Sequence, residues 1–243
     1  MRVLVTGDKH LGLVSDGVPR LEEQRRVLDA VVELARAEEP DVVVDLGDLF
    51  HVPRPGPDAY AVAFNYLRRL EKVAPTFVLA GNHDKPSRGA CNSLLPLGEV
   101  FEGGFVQTVP LPMRSNVYSG NFELLFLPFV TEFEAREAGD TDTQSYLDRV
   151  VEGFLGSTRG RAKVLAFAHL EVPGAKRGPD DVTQRDVGTS IPRALLEDPR
   201  VLRVYAGHVH HHQELERVTV VGSSIHVDFG EARSPKGVVL AEV

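Results

Sequence analysis

Thr76-Phe77-Val78-Leu79-Ala80-Gly81-Asn82-His83-Asp84 sets the reading of this chain. The apolar run, bounded by Pro75 before and Gly81 after, has the length of a buried strand. It breaks at a glycine, and an amide, an imidazole and a carboxylate follow on one tight turn. In an α/β sheet the carboxyl end of a strand is where chemistry gathers.

The preceding residues repeat this pattern twice. Residues 2–6 form a β-branched apolar strand that ends at Gly7-Asp8-Lys9-His10-Leu11-Gly12. Helical periodicity over 20–39 places Leu21, Val27, Leu28, Val31, Val32, Leu34 and Ala35 largely on one face, and Pro40 stops it. Residues 41–46 read as a second buried strand, ending at Gly47-Asp48-Leu49-Phe50-His51. Pro53, Pro55 and Pro57 exclude regular structure over 52–57, and Asp58 is expected to cap a helix running to about Val73. The first 84 residues therefore predict β-α-β-α-β, parallel and right-handed, with a polar cluster at the end of every strand.

Past Asp84 the pattern predicts a short helix over 93–98, strands over 105–109 and 123–128, and a helix over 143–155. A buried strand at 163–168 ends at His169, and another at 201–206 ends at Gly207-His208-Val209-His210. Between them lie a charged loop, 171–188, and a short helix, 191–197; strands over 214–221, 224–229 and 237–242 follow. With no repeat or linker, 1–243 reads as one α/β domain, two packed sheets flanked by helices.

Hydrophobic content of 42% and charged content of 26% are those of a globular protein, and no apolar run reaches membrane-span length. The single cysteine, Cys91, excludes an internal disulfide framework and makes a reducing cytoplasm the expected compartment. A net charge of −8 argues against coating nucleic acid through a basic surface. It leaves open an enzyme that grips phosphate through bound cations.

The strand-end residues are Asp8, His10, Asp48, Asn82, His83, His169, His208 and His210. Imidazole nitrogen, carboxylate oxygen and amide oxygen form a mixed donor set that suits Mn, Fe, Zn or Ni, and the lack of thiolates argues against a structural zinc site. Two ions roughly 3.5–4 Å apart, sharing a carboxylate, can clamp both the attacking and the leaving oxygen of a phosphoester. His211 and His212 are expected on a solvated turn, and His226 is expected to be structural or exposed.

In this order the motifs Asp8-x-His10, Gly47-Asp48, Gly81-Asn82-His83-Asp84, His169 and Gly207-His208-x-His210 resemble the calcineurin-like metallophosphoesterases. The resemblance implies that family's α/β/β/α fold. It also implies one ion on Asp8, His10, Asp48 and His210, and a second on Asp48, Asn82, His169 and His208. His83 would orient phosphate or protonate the leaving oxygen, and Asp84 would fix an imidazole from behind the ligands. Manganese is the first expectation for both ions, with iron, zinc, nickel or magnesium as alternatives.

Several further stretches resemble the SbcD-type nucleases of double-strand-break repair: Asp8-Lys9-His10-Leu11-Gly12, Gly47-Asp48-Leu49-Phe50-His51, Lys85-Pro86-Ser87-Arg88, Gly222-Ser223-Ser224 and Asp228-Phe229-Gly230-Glu231. That branch implies a DNA substrate, with His51 positioning its phosphate. Lys85 and Arg88 are expected on backbone phosphates, as is Lys9, and a homodimer is expected through the helix after Asp58. Such proteins carry a capping domain and a segment that docks on an SMC-like ATPase of the SbcC type. This sequence stops at Val243, so the expectation is a catalytic core, with the ATPase the weaker partner. Hydrolysis of nucleotides or other small phosphoesters is the alternative.

Overall fold

The computed structural model describes residues 1–86, 92–99, 101, 104–114, 122–158, 160, 162–177 and 188–243. Its strands and helices run in the order β1 (Arg2–Thr6), β2 (Val14–Ser15), β3 (Val18–Pro19), α1 (Leu21–Glu38), β4 (Val42–Asp45), α2 (Pro57–Glu71), β5 (Thr76–Leu79), α3 (Leu95–Gly98) and β6 (Gly104–Gln107). They continue with β7 (Leu111–Arg114), β8 (Phe122–Leu127), α4 (Glu132–Glu137), α5 (Thr143–Ser157), β9 (Lys163–Ala168), α6 (Arg193–Glu197), β10 (Val201–Ala206), β11 (Gln213–Glu214), β12 (Val218–Val220) and β13 (Val239–Glu242).

Two sheets result, ordered β13-β1-β4-β5-β6 and β11-β12-β10-β9-β8-β7. The inner strands of each are parallel, and antiparallel β13, β11 and β7 close three of the edges. Each inner strand is buried on both faces, which is why these segments read as unbroken apolar runs. Val3, Val5, Val44, Phe77 and Leu79 of the first sheet face Leu124, Phe126, Leu165, Phe167 and Tyr205 of the second. Phe77, Phe126, Phe167 and Tyr205 stack in succession, with ring centroids 4.7, 5.4 and 5.6 Å apart. Leu4, Val43 and Val78 pack outward against α1 and α2, and Leu125, Val164 and Val204 pack outward against α5 and α6. The layers are α/β/β/α, as expected.

Some boundaries differ from expectation. Gly56, not Asp58, precedes the first turn of α2, because Pro57 supplies a preset φ at the helix start. Residues 224–229 form no strand, since their backbone bonds to nearby side chains instead of a neighbouring strand. Ser223 Oγ donates to the Ile225 carbonyl, and Val227 N–H donates to Glu231. Helix α4 was missed: six residues are too few for a periodic signal, though Thr131 and Glu134 form a reciprocal capping pair. No helix among the described residues is long and apolar enough to cross a membrane.

Candidate metal centre

The turns after β1 and β4 are zipped together. Asp8 N–H donates to the Gly47 carbonyl at 2.9 Å, Lys9 and His10 N–H to the Asp48 carbonyl at 3.0 and 2.9 Å, and Leu11 N–H to the Leu49 carbonyl at 2.8 Å. Asp8, His10, Asp48 and His208 all adopt left-handed φ (51°, 46°, 49° and 76°). Such conformations cost on the order of 1–3 kcal/mol each and persist only where the surroundings impose them. Here Gln24 of α1 donates to the Lys9 and His10 carbonyls and accepts from Gly12 N–H.

Asp84 was expected to brace an imidazole, but its carboxylate instead accepts the backbone N–H groups of Gly81, Phe50 and Leu49, at 2.9, 2.9 and 3.3 Å. It thus ties the turn after β5 to the turn after β4. Burial, then the negative charge of Asp48, push its pKa up to about 7. Only glycine fits at position 81, because a Cβ there would lie 2.0 Å from Asp48 Oδ1.

The histidines come to the centre with fixed tautomers. His169 Nδ1 donates to the Leu46 carbonyl (2.8 Å), His210 Nδ1 to the Glu231 carboxylate (2.7 Å) and His208 Nε2 to the Glu171 carboxylate (2.9 Å). Each partner is an obligate acceptor, so the opposite nitrogen is the one presented inward. His169 Nε2 and His208 Nδ1 meet Asn82 Oδ1 at 3.1 and 3.0 Å. His210 Nε2 meets His10 Nε2 at 3.1 Å. Lone pairs at such separations repel unless a proton or a cation lies between them, and this is the chemistry by which the residues fit metal ions.

Asp48 sits between the two groups, with Oδ2 3.8 Å from His10 Nε2 and 3.5 Å from His169 Nε2, while Oδ1 accepts His83 N–H at 2.8 Å. Potential ligand atoms of Asp8, His10 and His210 cluster within 4.8 Å, as do those of Asp8, Asp48 and His169. Burial alone would raise the Asp48 pKa, but the charge and hydrogen bond of His169, together with His10 and His83, outweigh it and hold the carboxyl far below its ordinary range. Burial likewise opposes a proton on His169, yet Asp48 lifts it to about 9. At His10 burial prevails and the pKa falls well below 6.5. Protons and cations therefore compete for the same inner atoms.

His51 and His83 lie on the open side of the buried group, and their ring nitrogens also come within 4.8 Å of one of His10's. Both are half-buried, and their rings stack at 5.3 Å. His83 Nδ1 donates to the His51 carbonyl at 2.8 Å, which leaves its Nε2 for other partners. His51 Nδ1 is 3.4 Å from His10 Nδ1, and burial followed by repulsion from His83 lowers the His51 pKa. The two rings line an open cleft of about 670 Å³ that also holds His10, Asp48 and Asn82.

The structure thus brings Asp8, His10, Asp48, Asn82, His169, His208 and His210 together and places His51 and His83 at their open side. It turns two expected phosphate contacts away. Lys85 is buried, and its Nζ donates to the Thr108 and Phe129 carbonyls (both 2.6 Å) and to Glu134 (2.8 Å). A buried ammonium needs that many acceptors, so it fastens the turn after β5 to α4 and does not reach substrate. Lys9 points inward as well, pairing with Asp45 Oδ2 at 2.7 Å and Thr6 Oγ1 at 3.1 Å beneath the centre. Arg88 lies outside the described residues.

Glu171 and Glu231, which orient His208 and His210, were missed as site residues. Glu171 follows His169 by two positions, and that acidic spacing was the available signal for it. Glu231 also accepts from Lys236 Nζ (2.6 Å) and Val227 N–H (3.0 Å). Burial opposes its charge, but His210 and Lys236 bring its pKa down to about 2, from 4.5. A carboxylate with a depressed folded-state pKa stabilises above the unfolded value, and the contribution drains away as pH falls from 4.5 toward 2. The metal-free protein should therefore lose at most about 3 kcal/mol across that window through this group. In Glu231→Gln, urea unfolding at stepped pH should show a correspondingly shallower acid slope; an unchanged slope would refute the assignment.

A family model described as calcineurin-like phosphoesterase matches residues 1–212. The chain belongs to this family. It is 30% identical, over its whole length, to the D subunit of the nuclease SbcCD from Staphylococcus saprophyticus, and it spans 66% of the length of that relative. A dimetal phosphatase from Danio rerio superposes with a TM-score of 0.55 at 15% identity, covering 90% of this chain and 85% of the other. Purple acid phosphatase PPD1 from yellow lupin (Lupinus luteus) seeds gives a TM-score of 0.56 at 17% identity, covering 87% of this chain and 38% of the other. At such identities these two likenesses concern the fold alone. Membership places the inward-facing nitrogens and carboxylates of this calcineurin-like chain in a phosphoesterase setting.

Proposed function

We propose that this chain is a two-metal DNA nuclease of the SbcD type, hydrolysing phosphodiester bonds in DNA repair or recombination. The observation that carries the reading is the pairing of an inward-facing donor set with the half-buried His51 and His83 at its open side. Asp8, His10, Asp48 and His210 would hold one divalent ion, and Asp48, Asn82, His169 and His208 the other, with manganese the first expectation. Bound there, the pair would activate water and offset charge on the phosphoryl oxygens.

The chain's own groups supply the rest. The His51 carbonyl takes up His83 Nδ1–H, so His83 Nε2 faces the cleft and, in the imidazolium form that carries a proton on both nitrogens, can pass that proton to the leaving oxygen. His51, stacked on His83, orients the phosphate from the same side. Glu171 and Glu231 hold two imidazoles in the required tautomer and direction. By the resemblance, an SbcC-type ATPase is the proposed protein partner. A homodimer is proposed through the neighbourhood of α2 and the exposed Leu95.

One observation favours a second reading, hydrolysis of nucleotides or other small phosphoesters. No Lys or Arg is among the described residues that line the cleft, while Asp16 and Asp228 are. The test is to incubate the protein with Mn²⁺ and linear duplex DNA, single-stranded DNA or bis-p-nitrophenyl phosphate. Cleavage of DNA that chelator abolishes is the expected result. Turnover of the small ester with DNA left intact would replace the nuclease reading with the second one.

A further inference from the structure

We propose that Phe229 is a stacking platform for the nucleobase adjoining the scissile phosphodiester, an assignment that rests on the nuclease reading. Phe229 is 79% exposed, more than any other large apolar side chain among the described residues. A lone exposed apolar residue is ordinary; the place and rigidity of this one are not. It lines the same cleft as His10, His83 and His210.

Its backbone is anchored on both sides. It opens a 3₁₀ turn, Phe229–Glu231, whose capping residue Asp228 accepts Glu231 N–H at 3.2 Å. The Glu231 carboxylate takes up His210 Nδ1, Val227 N–H and Lys236 Nζ. The exposed ring is thus carried two residues from a carboxylate that also orients a metal-competent imidazole. The backbone that carries the ring is thus tied to the centre through Glu231, so the ring's point of attachment keeps a set position relative to His210.

The chemistry of the cleft narrows what that group is. With no Lys or Arg among the described residues of the lining, neighbouring phosphates find no ion pair with them. Phe229, Val14 at 54% and Val52 at 43% give the rim exposed apolar surface, beside the exposed carboxylate of Asp16, which repels phosphate. Every nucleobase offers a flat π face, and an aromatic platform holds any of them without hydrogen-bond readout. The reading therefore includes sequence tolerance, with affinity derived from the base and not from flanking phosphates.

The test uses Mn²⁺-loaded protein and oligonucleotides that are intact or carry a single abasic nucleotide on one or the other side of the cleaved bond. Stacking on an aromatic side chain corresponds to about 10–100-fold in binding. Phe229→Ala should raise KM on intact DNA by about that factor, with kcat little changed, and Phe229→Trp should recover most of the loss. One abasic position should raise the wild-type KM by a similar factor, and Phe229→Ala should add nothing on that substrate. An unchanged KM in Phe229→Ala, or losses that multiply with the abasic substitution, would overturn the platform while DNA cleavage by the wild type keeps the nuclease reading. A wild type indifferent to abasic nucleotides on both sides overturns it without recourse to any variant. A wild type that cleaves no DNA removes both readings.

Discussion

His83→Ala should bind its divalent ions as the wild type does and lose about 10²–10⁴-fold in kcat, the range for a positioned acid or base. Asn82→Ala, one residue earlier on the same turn, should instead lose metal. The difference follows from direction. Asn82 Oδ1 stands 3.1 and 3.0 Å from the inner nitrogens of His169 and His208, whereas His83 is tied to the His51 carbonyl and faces the cleft. Metal content after gel filtration in Mn²⁺, measured beside turnover, separates the two. Equal metal loss in both variants would make His83 a ligand and remove its role as a proton donor. A pH–rate profile adds a second readout, since loss of a proton donor should flatten one limb while loss of a ligand should not.

Lys9→Met should destabilise the protein by about 3–5 kcal/mol, the cost of leaving one half of a buried ion pair uncompensated. For a chain of this length that corresponds to a fall in Tm on the order of 10 °C. The side chains of Lys9 and Asp45 are 1% and 0% exposed, 2.7 Å apart, at the floor between β1 and β4. Burial raises the Asp45 pKa and Lys9 opposes the rise, so without Lys9 the carboxyl would be driven to protonate. The double variant Lys9→Met/Asp45→Leu should recover most of the stability, because a well-packed apolar pair commonly replaces a buried ion pair without loss. Thermal melts of the two variants decide it. A double variant as unstable as Lys9→Met alone would show that Lys9 matters through something other than its charge. The pair also bears on the centre, since Lys9 lies between two left-handed residues, Asp8 and His10, that the proposal assigns to metal, and its inward anchor helps keep that turn in shape.

The strands and their polar ends were legible in the sequence because both signals are local. An apolar run closed by glycine and followed by Asp, Asn or His describes β1, β4, β5 and β10 within a few residues of where they lie, and Gly81 is explained by the Asp48 oxygen that crowds it. Side-chain direction inside the turns was not legible. Lys9 was assigned outward because its positive-φ neighbours Asp8 and His10 break the alternation by which a strand tells inside from outside; Asp84 and Lys85 were assigned outward or to the wrong partner because they lie on an irregular turn that has no such alternation. Partners distant in sequence were hidden for another reason. Glu231 is twenty-one positions from His210, and only the fold reveals that it bonds to His210 Nδ1. The strand expected over 224–229 failed on the same account: it ignored side chains that would claim the backbone before any neighbour could.

The stacked rings of Phe77, Phe126, Phe167 and Tyr205 have a consequence for the centre above them. Asp8, Asp48 and Asn82 hang from one leaf of the sandwich, and His169, His208 and His210 from the other, so the proposed ligand set straddles a seam. Any sliding of one leaf over the other would change every distance across that seam at once. Phe77 belongs to the first leaf and the other three rings to the second, and their contact works as a dowel pin between the two. Alignment is thereby set by the hydrophobic interior. A cation bound as proposed would meet these groups already in register and, once seated, would become a second fastening between the leaves.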